Sequence, residues 1–336
     1  MPRRKNKELI TENNLDSLVD KFKRVFREED LNVPPAWFLP TGNLAFDYII
    51  SGRVDGAGGY PSGVTEIFGD PSSGKSVLLA KAIAEAQKLG IPTILADAEG
   101  RWDGDFAKLH GVDKDKMLPP FYPETVEEWA IKSSELLDVL GESQRLLLIL
   151  DSLGILSTIK EIEDVEGGDI KADQGRKAQK IKAAMRVLRY KVRKTGSVLL
   201  VSNHVIANPG SYSHKKLTPG GGGVPFQSNV RVELSEPTIL SIPGKDRPIG
   251  VELHIRVAKN SIAPPFGEAS LNLFWNRGIS KYSGLLKLAL DLGILTKSGA
   301  WNYYGEIAFQ SGDFEKVLEE HPEILQHESW KKPYWL

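Results

Sequence analysis

Four stretches of this chain read as strands buried on both faces: "TEIFG" (65–69), "PTILADAE" (92–99), "RLLLILDS" (145–152) and "SVLLVSNH" (197–204). Their apolar runs are too continuous for a strand with one wet face, and helical spacing separates them. The alternation predicts a mostly parallel α/β sheet over residues 40 to about 280. Two long polar interruptions, 161–175 and 205–223, each follow a core strand on the same side of that sheet; loops of this length in a compact domain are usually functional or disordered. Near the start, "NLDSLVDKFKRVFREED" (14–30) sets Leu15, Leu18, Val19, Phe22, Val25 and Phe26 at helical spacing with charges between them. Such a stripe has to be buried, on its own domain or on a neighbouring subunit. The prolines of "NVPPAWFLP" (32–40) then predict a linker. From 283 onward, "GLLKLALDLGILTKSGAWNYYG" and "DFEKVLEEHPEIL" predict a small α-rich C-terminal domain. The division is therefore 1–38, 39–282 and 283–336.

Composition narrows this little. The chain has 336 residues, 41% of them hydrophobic, and a net charge of −1. No run is long and apolar enough to span a bilayer, and the basic N-terminus lacks the apolar core of a signal peptide, so a cytoplasmic home is expected. With no cysteine, disulfides and thiolate metal sites are excluded. Near-zero net charge means that any nucleic-acid binding rests on local patches. One such patch is "RKAQKIKAAMRVLRYKVRK" (176–194), nine basic residues without an acid. Unrelieved, they repel one another and favour a polyanion as partner.

The chemistry starts at "GDPSSGKS". Gly69, Gly74, Lys75 and Ser76 fit G-x-x-x-x-G-K-[ST] with a strand before and a helix after. That is the context of a phosphate-binding loop, in which the backbone of Gly69, Asp70, Pro71, Ser72, Ser73 and Gly74 wraps phosphates. Lys75 would meet the β and γ phosphates and Ser76 would ligate Mg²⁺. Asp151 ends a doubly buried strand, where open α/β sheets bind ligands, and suits the Mg²⁺-supporting acid. Asp97 and Glu99 end another strand, and one carboxylate there could orient and deprotonate a water. At the tip of a fourth strand, His204 could sense a γ-phosphate.

In order, "GDPSSGKS", "ADAEG", "LILDS", "VSNH", a Gly-rich loop and "VAKNSIAPPF" resemble the RecA family of DNA recombinases from about residue 38 to 310. "TGNLAFDYIISG" and "GAWNYYGE" extend the likeness at either end. The resemblance implies a RecA-type ATPase core with an N-terminal polymerisation helix (Leu18, Phe22 and Phe26 on its docking face) and ATP with Mg²⁺. It makes Glu99 the general base. His204 stands where bacterial members carry a γ-phosphate-sensing glutamine, a choice similar to phage members. Phe106 matches an aromatic packed on adenine, Asp103 an acid near the same base, and Trp275 a second pocket aromatic. Phe226 matches an aromatic coupling neighbouring subunits, and Lys259 a lysine reaching the adjacent subunit's nucleotide. Here the chain departs: a second lysine of the bacterial pattern is Ser261, and the other cations nearby in sequence are Lys245 and Arg247.

The two polar interruptions correspond to the family's DNA-binding loops. Arg186 matches a DNA-contacting arginine, while the matching position one heptad earlier is Gln179, leaving Lys180 or Arg176 to take that load. Tyr212, His214, Lys215 and Lys216 supply the second loop. No base-reading pattern is present, so single- and double-stranded DNA would be bound largely independently of sequence. The implied function is an ATP-dependent recombinase forming a helical filament, with DNA-stimulated hydrolysis, strand exchange, and single-strand-binding or loader proteins as further partners. A ring helicase of the same fold and a non-catalytic accessory protein are the alternatives. Filament against closed ring, and the intact Lys75, Ser76, Glu99 and Asp151, discriminate between them.

Overall fold

Residues 37–141, 144–168, 174–205, 218–242 and 247–331 are described by the computed structural model. Outside them lie the amphipathic stretch at 14–30, with Leu18, Phe22 and Phe26, and also Tyr212, His214, Lys215, Lys216 and Lys245. Where the prolines predict a linker, Phe38–Leu39 instead form a short strand, β1, paired antiparallel with β2 (Tyr60–Pro61). The indole N–H of Trp37 donates to the Gly196 carbonyl at 2.6 Å and ties this entry point down. Between them runs helix α1 (Leu44–Ser51), its first turn capped by Asn43, whose side chain accepts from the Phe46 N–H at 2.9 Å.

The four apolar runs are parallel strands as expected: β3 (Gly63–Gly69), β4 (Thr93–Asp97), β5 (Leu147–Asp151) and β6 (Val198–His204). A fifth, β7 (Val230–Leu234), is also parallel to β3. The sheet grows antiparallel through β8 (Thr238–Leu240), β9 (Gly250–Asn260), β10 (Glu268–Phe274) and β11 (Gly278–Ile279). Nine strands of described residues result, ordered β11-β10-β9-β7-β3-β6-β5-β4 with β8 beside β9.

Alternation along β5 shows why continuous apolar sequence is needed. Leu147 and Ile149 join the cluster holding Leu79 and Ile83 of α2 (Lys75–Lys88). Leu148 and Leu150 face the other way, towards Trp129 of α4 (Val126–Asp138) and Met185 and Leu188 of α6 (Gln174–Thr195). Each such side chain contributes about 1.5–3 kcal/mol by leaving water. Helix α3 (Gly104–Leu109) follows β4 and packs near the head of the sheet.

Two expectations are corrected. The polar stretch from 161 is not structureless at its start: α5 (Ile159–Glu166) occupies it. Thr158 and Glu161 form a reciprocal capping box, with Glu161 N–H to Thr158 Oγ1 at 3.1 Å and Thr158 N–H to Glu161 Oε2 at 2.8 Å. The second stretch, where described, ends in a turn and the short helix α7 (Gly223–Gln227). The C-terminal region is not helical alone. Beside α8 (Leu285–Asp291) and α9 (Phe314–Glu320) it holds a three-stranded antiparallel sheet, β12 (Thr296–Ser298), β13 (Trp301–Tyr304) and β14 (Ile307–Gln310). "WNYYGEIAF" alternates with period two: Asn302 and Phe309 are buried and face each other across β13 and β14. Leu285, Ala289, Phe314, Leu318 and Trp330 belong to the same hydrophobic cluster as α1, and the Trp330 ring lies 5.3 Å from that of Tyr48.

Candidate functional site

Parallel register brings the strand ends into one row. Gly69 pairs with His204 across β3 and β6, and Asp97 with Asp151 across β4 and β5. The loop leaving β3 wraps tightly: a Cβ on Gly69 would lie 2.3 Å from the Leu234 carbonyl, and Gly74 turns with φ near 97°. Helix α2 then starts without a side-chain cap, and the buried Ser73 hydroxyl has no hydrogen-bond partner. An open helix N-terminus and an orphaned buried hydroxyl in one glycine-bounded cradle fit a polyphosphate.

Lys75 is buried and donates to the carbonyls of Gly69 at 3.0 Å and Asp70 at 2.8 Å. Burial pulls its ammonium below the usual lysine range, against the opposing charges of Asp151, Glu99 and Asp70. The Ser76 hydroxyl donates to Asp151 Oδ2 at 3.0 Å, and the Ser202 hydroxyl donates to the other oxygen. Burial raises the Asp151 carboxyl, the two serine bonds oppose this, and Glu99 and Asp97 add to it. A hydroxyl beside a carboxylate suits Mg²⁺, which keeps waters and completes its shell with phosphate oxygens. No group of three or more His, Asp or Glu gathers into a metal cage among the described residues. Ser76 and Asp151 would thus hold Mg²⁺, which neutralises phosphate charge when bound.

Asp97 and Glu99 separate cleanly. Asp97 is buried, and its oxygens accept from the backbone N–H groups of Arg101 at 3.3 Å and Trp102 at 3.0 Å. It shapes the turn. Glu99 accepts at Oε1 from the Ser152 hydroxyl at 2.9 Å and lies 2.9 Å from His204 Nε2. A carboxylate only accepts, so Nε2 carries the proton. Burial alone would raise the Glu99 carboxyl; the hydrogen bonds from His204 and Ser152, with the charges of His204 and Arg101, outweigh it and hold the group below the ordinary range. Arg101 itself, 3.4 Å from Oε2, is 82% exposed and adds little.

Asp103 caps α3, accepting from the N–H groups of Asp105 at 2.9 Å and Phe106 at 2.8 Å. Phe106 stands edge-on to Trp102 and to His110, at 6.4 and 4.6 Å. His110 is buried, and burial, then Lys81, pulls it down to about 4, so it is neutral beside Phe106. Trp275, half exposed, leaves the end of β10 at the same head of the sheet.

Beside Thr218 and Pro219 is a network with no counterpart in the expectations. Glu66, wholly buried, faces Arg231 across β3 and β7, with Nε 2.5 Å from Oε2. The Asn203 amide donates to Glu66 Oε1 at 3.1 Å and to the Pro219 carbonyl at 3.2 Å. Ser152 is the other functional neighbour missed. Charged residues inside doubly buried strands were the available signal, since such groups require partners.

The basic helix α6 is less bare than its sequence. Lys180 lies 3.3 Å from Glu127 and Lys191 pairs with Asp138, both acids on α4, while Lys177 donates to the Gly154 carbonyl at 3.0 Å. Acids supplied by a packed neighbour correct the premise of unrelieved repulsion. Lys182, Arg186, Arg189 and Arg193 remain exposed, as does Arg176. At the foot of the sheet Lys259 donates to the carbonyls of Pro225 at 2.8 Å and Ser228 at 2.7 Å, and Phe226 between them is 75% exposed. No helix of the described residues is long and apolar enough to cross a membrane.

Comparison with known proteins agrees with this geometry. The profile of the RecA N-terminal domain matches residues 26–280. The chain is 35% identical to Protein RecA of Aquifex aeolicus over 295 residues, covering 85% of this chain and 80% of that protein. It is 35% identical to Protein RecA of Oceanobacillus iheyensis over 310 residues (90% and 85%). For Protein RecA of Streptococcus mutans the identity is 36% over 294 residues (85% and 73%).

Proposed function

Since this chain belongs to the RecA family and is a RecA-type recombinase, we propose that it polymerises on single-stranded DNA as a helical filament. Homologous duplex is then paired with the bound strand. ATP, held with Mg²⁺ in the Gly69–Ser76 cradle between adjacent copies, promotes the DNA-gripping form, and DNA-stimulated hydrolysis releases it. The bond between Glu99 and His204 carries this reading. It joins the group best placed to take a proton from the attacking water to the last residue of β6, from which the second loop departs. Water activation and loop position therefore share one hydrogen bond.

Each residue has a distinct part. Lys75 and the α2 N-terminus bind phosphate, Ser76 and Asp151 position the metal, and Glu99 accepts the proton. Ser152 holds Glu99 in place, and Phe106 with Trp275 offers aromatic surface to the base. DNA is met by Arg176, Lys180 and Arg186 of α6 and by Tyr212, Lys215 and Lys216 of the second loop. Lys259 and Phe226 serve the next copy, with Leu18, Phe22 and Phe26 as the polymerisation arm.

The test is ATP turnover with and without single-stranded DNA, with strand exchange scored on the same preparation. Turnover stimulated by DNA together with exchange is the expected result. Stimulation without exchange, on closed rings in electron micrographs, would return the assignment to a helicase.

A further inference from the structure

Ser261 leaves the foot of the sheet one lysine short, and the structure offers a replacement from another element. Helix α7 and the residue after it are gripped from two sides. Lys259 donates to the Pro225 and Ser228 carbonyls, and Arg189 of α6 donates from Nη1 to Gln227 Oε1 at 3.2 Å. The Ser261 N–H donates to the Asn229 carbonyl at 2.9 Å, so position 261 borders the same turn. Phe226 projects from the centre of this group.

The charges around the turn are unbalanced. Neither Lys259 nor Arg189 makes an ion pair among the described residues, whereas Lys180, Lys191 and Arg231 do. Burial, then the nearby Arg189 and Arg231, pull the Lys259 ammonium below its usual range. Arg231 is consumed by Glu66, and its guanidinium lies 4.4 Å over the Phe68 ring. Arg189 differs: it is exposed, and a neutral amide holds it in place without cancelling its charge. Two cations so arranged are relieved by an incoming anion. In the filament proposed above, whose heterologous contact does not close, the foot of one copy with Lys259 and Phe226 would meet the head of the next. That head carries the polyphosphate cradle together with Asp97, Glu99 and Asp151.

We propose that Arg189 reaches the bound triphosphate of the next copy in the filament, supplying the second cation that Ser261 does not. This rests on the reading of ATP shared between copies. Planar guanidinium suits the role, since it pairs with phosphate oxygens bidentately and stays charged wherever it is placed.

The decisive experiment mixes two full-length variants, each inactive alone. Arg189→Gln keeps its own cradle but lacks the foot cation; Lys75→Ala lacks the cradle but keeps the foot. In a one-to-one mixture on single-stranded DNA, half the cradles are intact and half of those meet an intact foot, so turnover should recover to about a quarter of wild type. Arg189→Gln alone should lose turnover at saturating ATP, with KM little changed. Arg189→Lys, or Ser261→Lys placed in the Arg189→Gln background, should restore most of it. Wild type without turnover on DNA would sink the underlying reading of the filament instead. Unchanged turnover in Arg189→Gln overturns the proposal, and so does a mixture no more active than its components. A loss of single-strand affinity equal in ADP and ATP, without complementation, would make Arg189 a DNA contact.

Discussion

Replacing Glu99 by Gln tests the proposed chemistry with little disturbance of the fold. The wild-type carboxylate takes the Ser152 hydroxyl and the His204 imidazole at one oxygen, each at 2.9 Å, and a glutamine carbonyl can accept both. What is lost is the charge on those two bonds, about 1 kcal/mol each and offset in part because a neutral amide costs less to bury, and an exposed pair with Arg101 worth about 0–1 kcal/mol. The melting transition should move little. The proton acceptor is gone, however, and turnover should fall by about 10²-fold or more, a barrier increase of roughly 2.7 kcal/mol. ATP binding should persist, since Lys75, Ser76 and the α2 N-terminus are untouched, and DNA filaments should outlast those of wild type. Phosphate release at saturating ATP and equilibrium nucleotide binding, measured on one preparation, separate these effects. Turnover above about a tenth of wild type with binding intact would mean that another group is the base.

Asp97→Asn is the companion control: its oxygens serve backbone N–H groups, so turnover should stay within several-fold of wild type in the same assay. His204→Ala should leave ATP binding within about 1–3 kcal/mol, and DNA affinity should no longer rise when a non-hydrolysable ATP analogue replaces ADP. Because His204 helps hold the Glu99 carboxyl low, its removal should shift the acidic limb of the pH–turnover profile to higher pH; an unmoved limb with intact coupling would assign His204 to packing. Arg231→Ala leaves Glu66 buried and unpaired and should cost about 3–5 kcal/mol in denaturant unfolding. Deleting residues 1–30 should yield a folded, monomeric core by sedimentation, because the apolar stripe of that arm is proposed to dock on a neighbouring copy; persistent long filaments would refute that role for the arm.

How much of this was legible depended on whether a residue's partners were local. The phosphate loop, the four core strands and their acidic tips could be read because the spacing from Gly69 to Ser76 and the runs around Asp151 are contiguous in the chain. Asp97 and Glu99 could not be told apart by spacing alone. The difference is that a turn folds the N–H groups of Arg101 and Trp102 onto Asp97, leaving Glu99 to Ser152 and His204. Helix α5 was hidden because its polar sequence resembles a loop, although Thr158 and Glu161 were a readable capping pair. The basic face of α6 misled for a different reason: Glu127 and Asp138, which quiet Lys180 and Lys191, lie 53 residues away from them in each case.

The same contrast bears on how ATP and DNA can be coupled. Asn203 and His204 are adjacent on β6, and successive strand residues point to opposite faces. One is bound to Glu66 and to Pro219, where the second loop returns; the other is bound to Glu99, where water would be activated. The Asn203 side is stiff, since moving it would leave one oxygen of the wholly buried Glu66 carboxylate without its donor. The His204 side is lighter: among the described residues its ring, 30% accessible, makes one hydrogen bond, to Glu99. In the proposed cycle, a change at the phosphate would therefore disturb the His204 bond at a cost of about 1 kcal/mol, less than disturbing the Asn203 side. Coupling of that size would be enough to alter DNA affinity several-fold per copy, and the proposed filament would sum it over many copies.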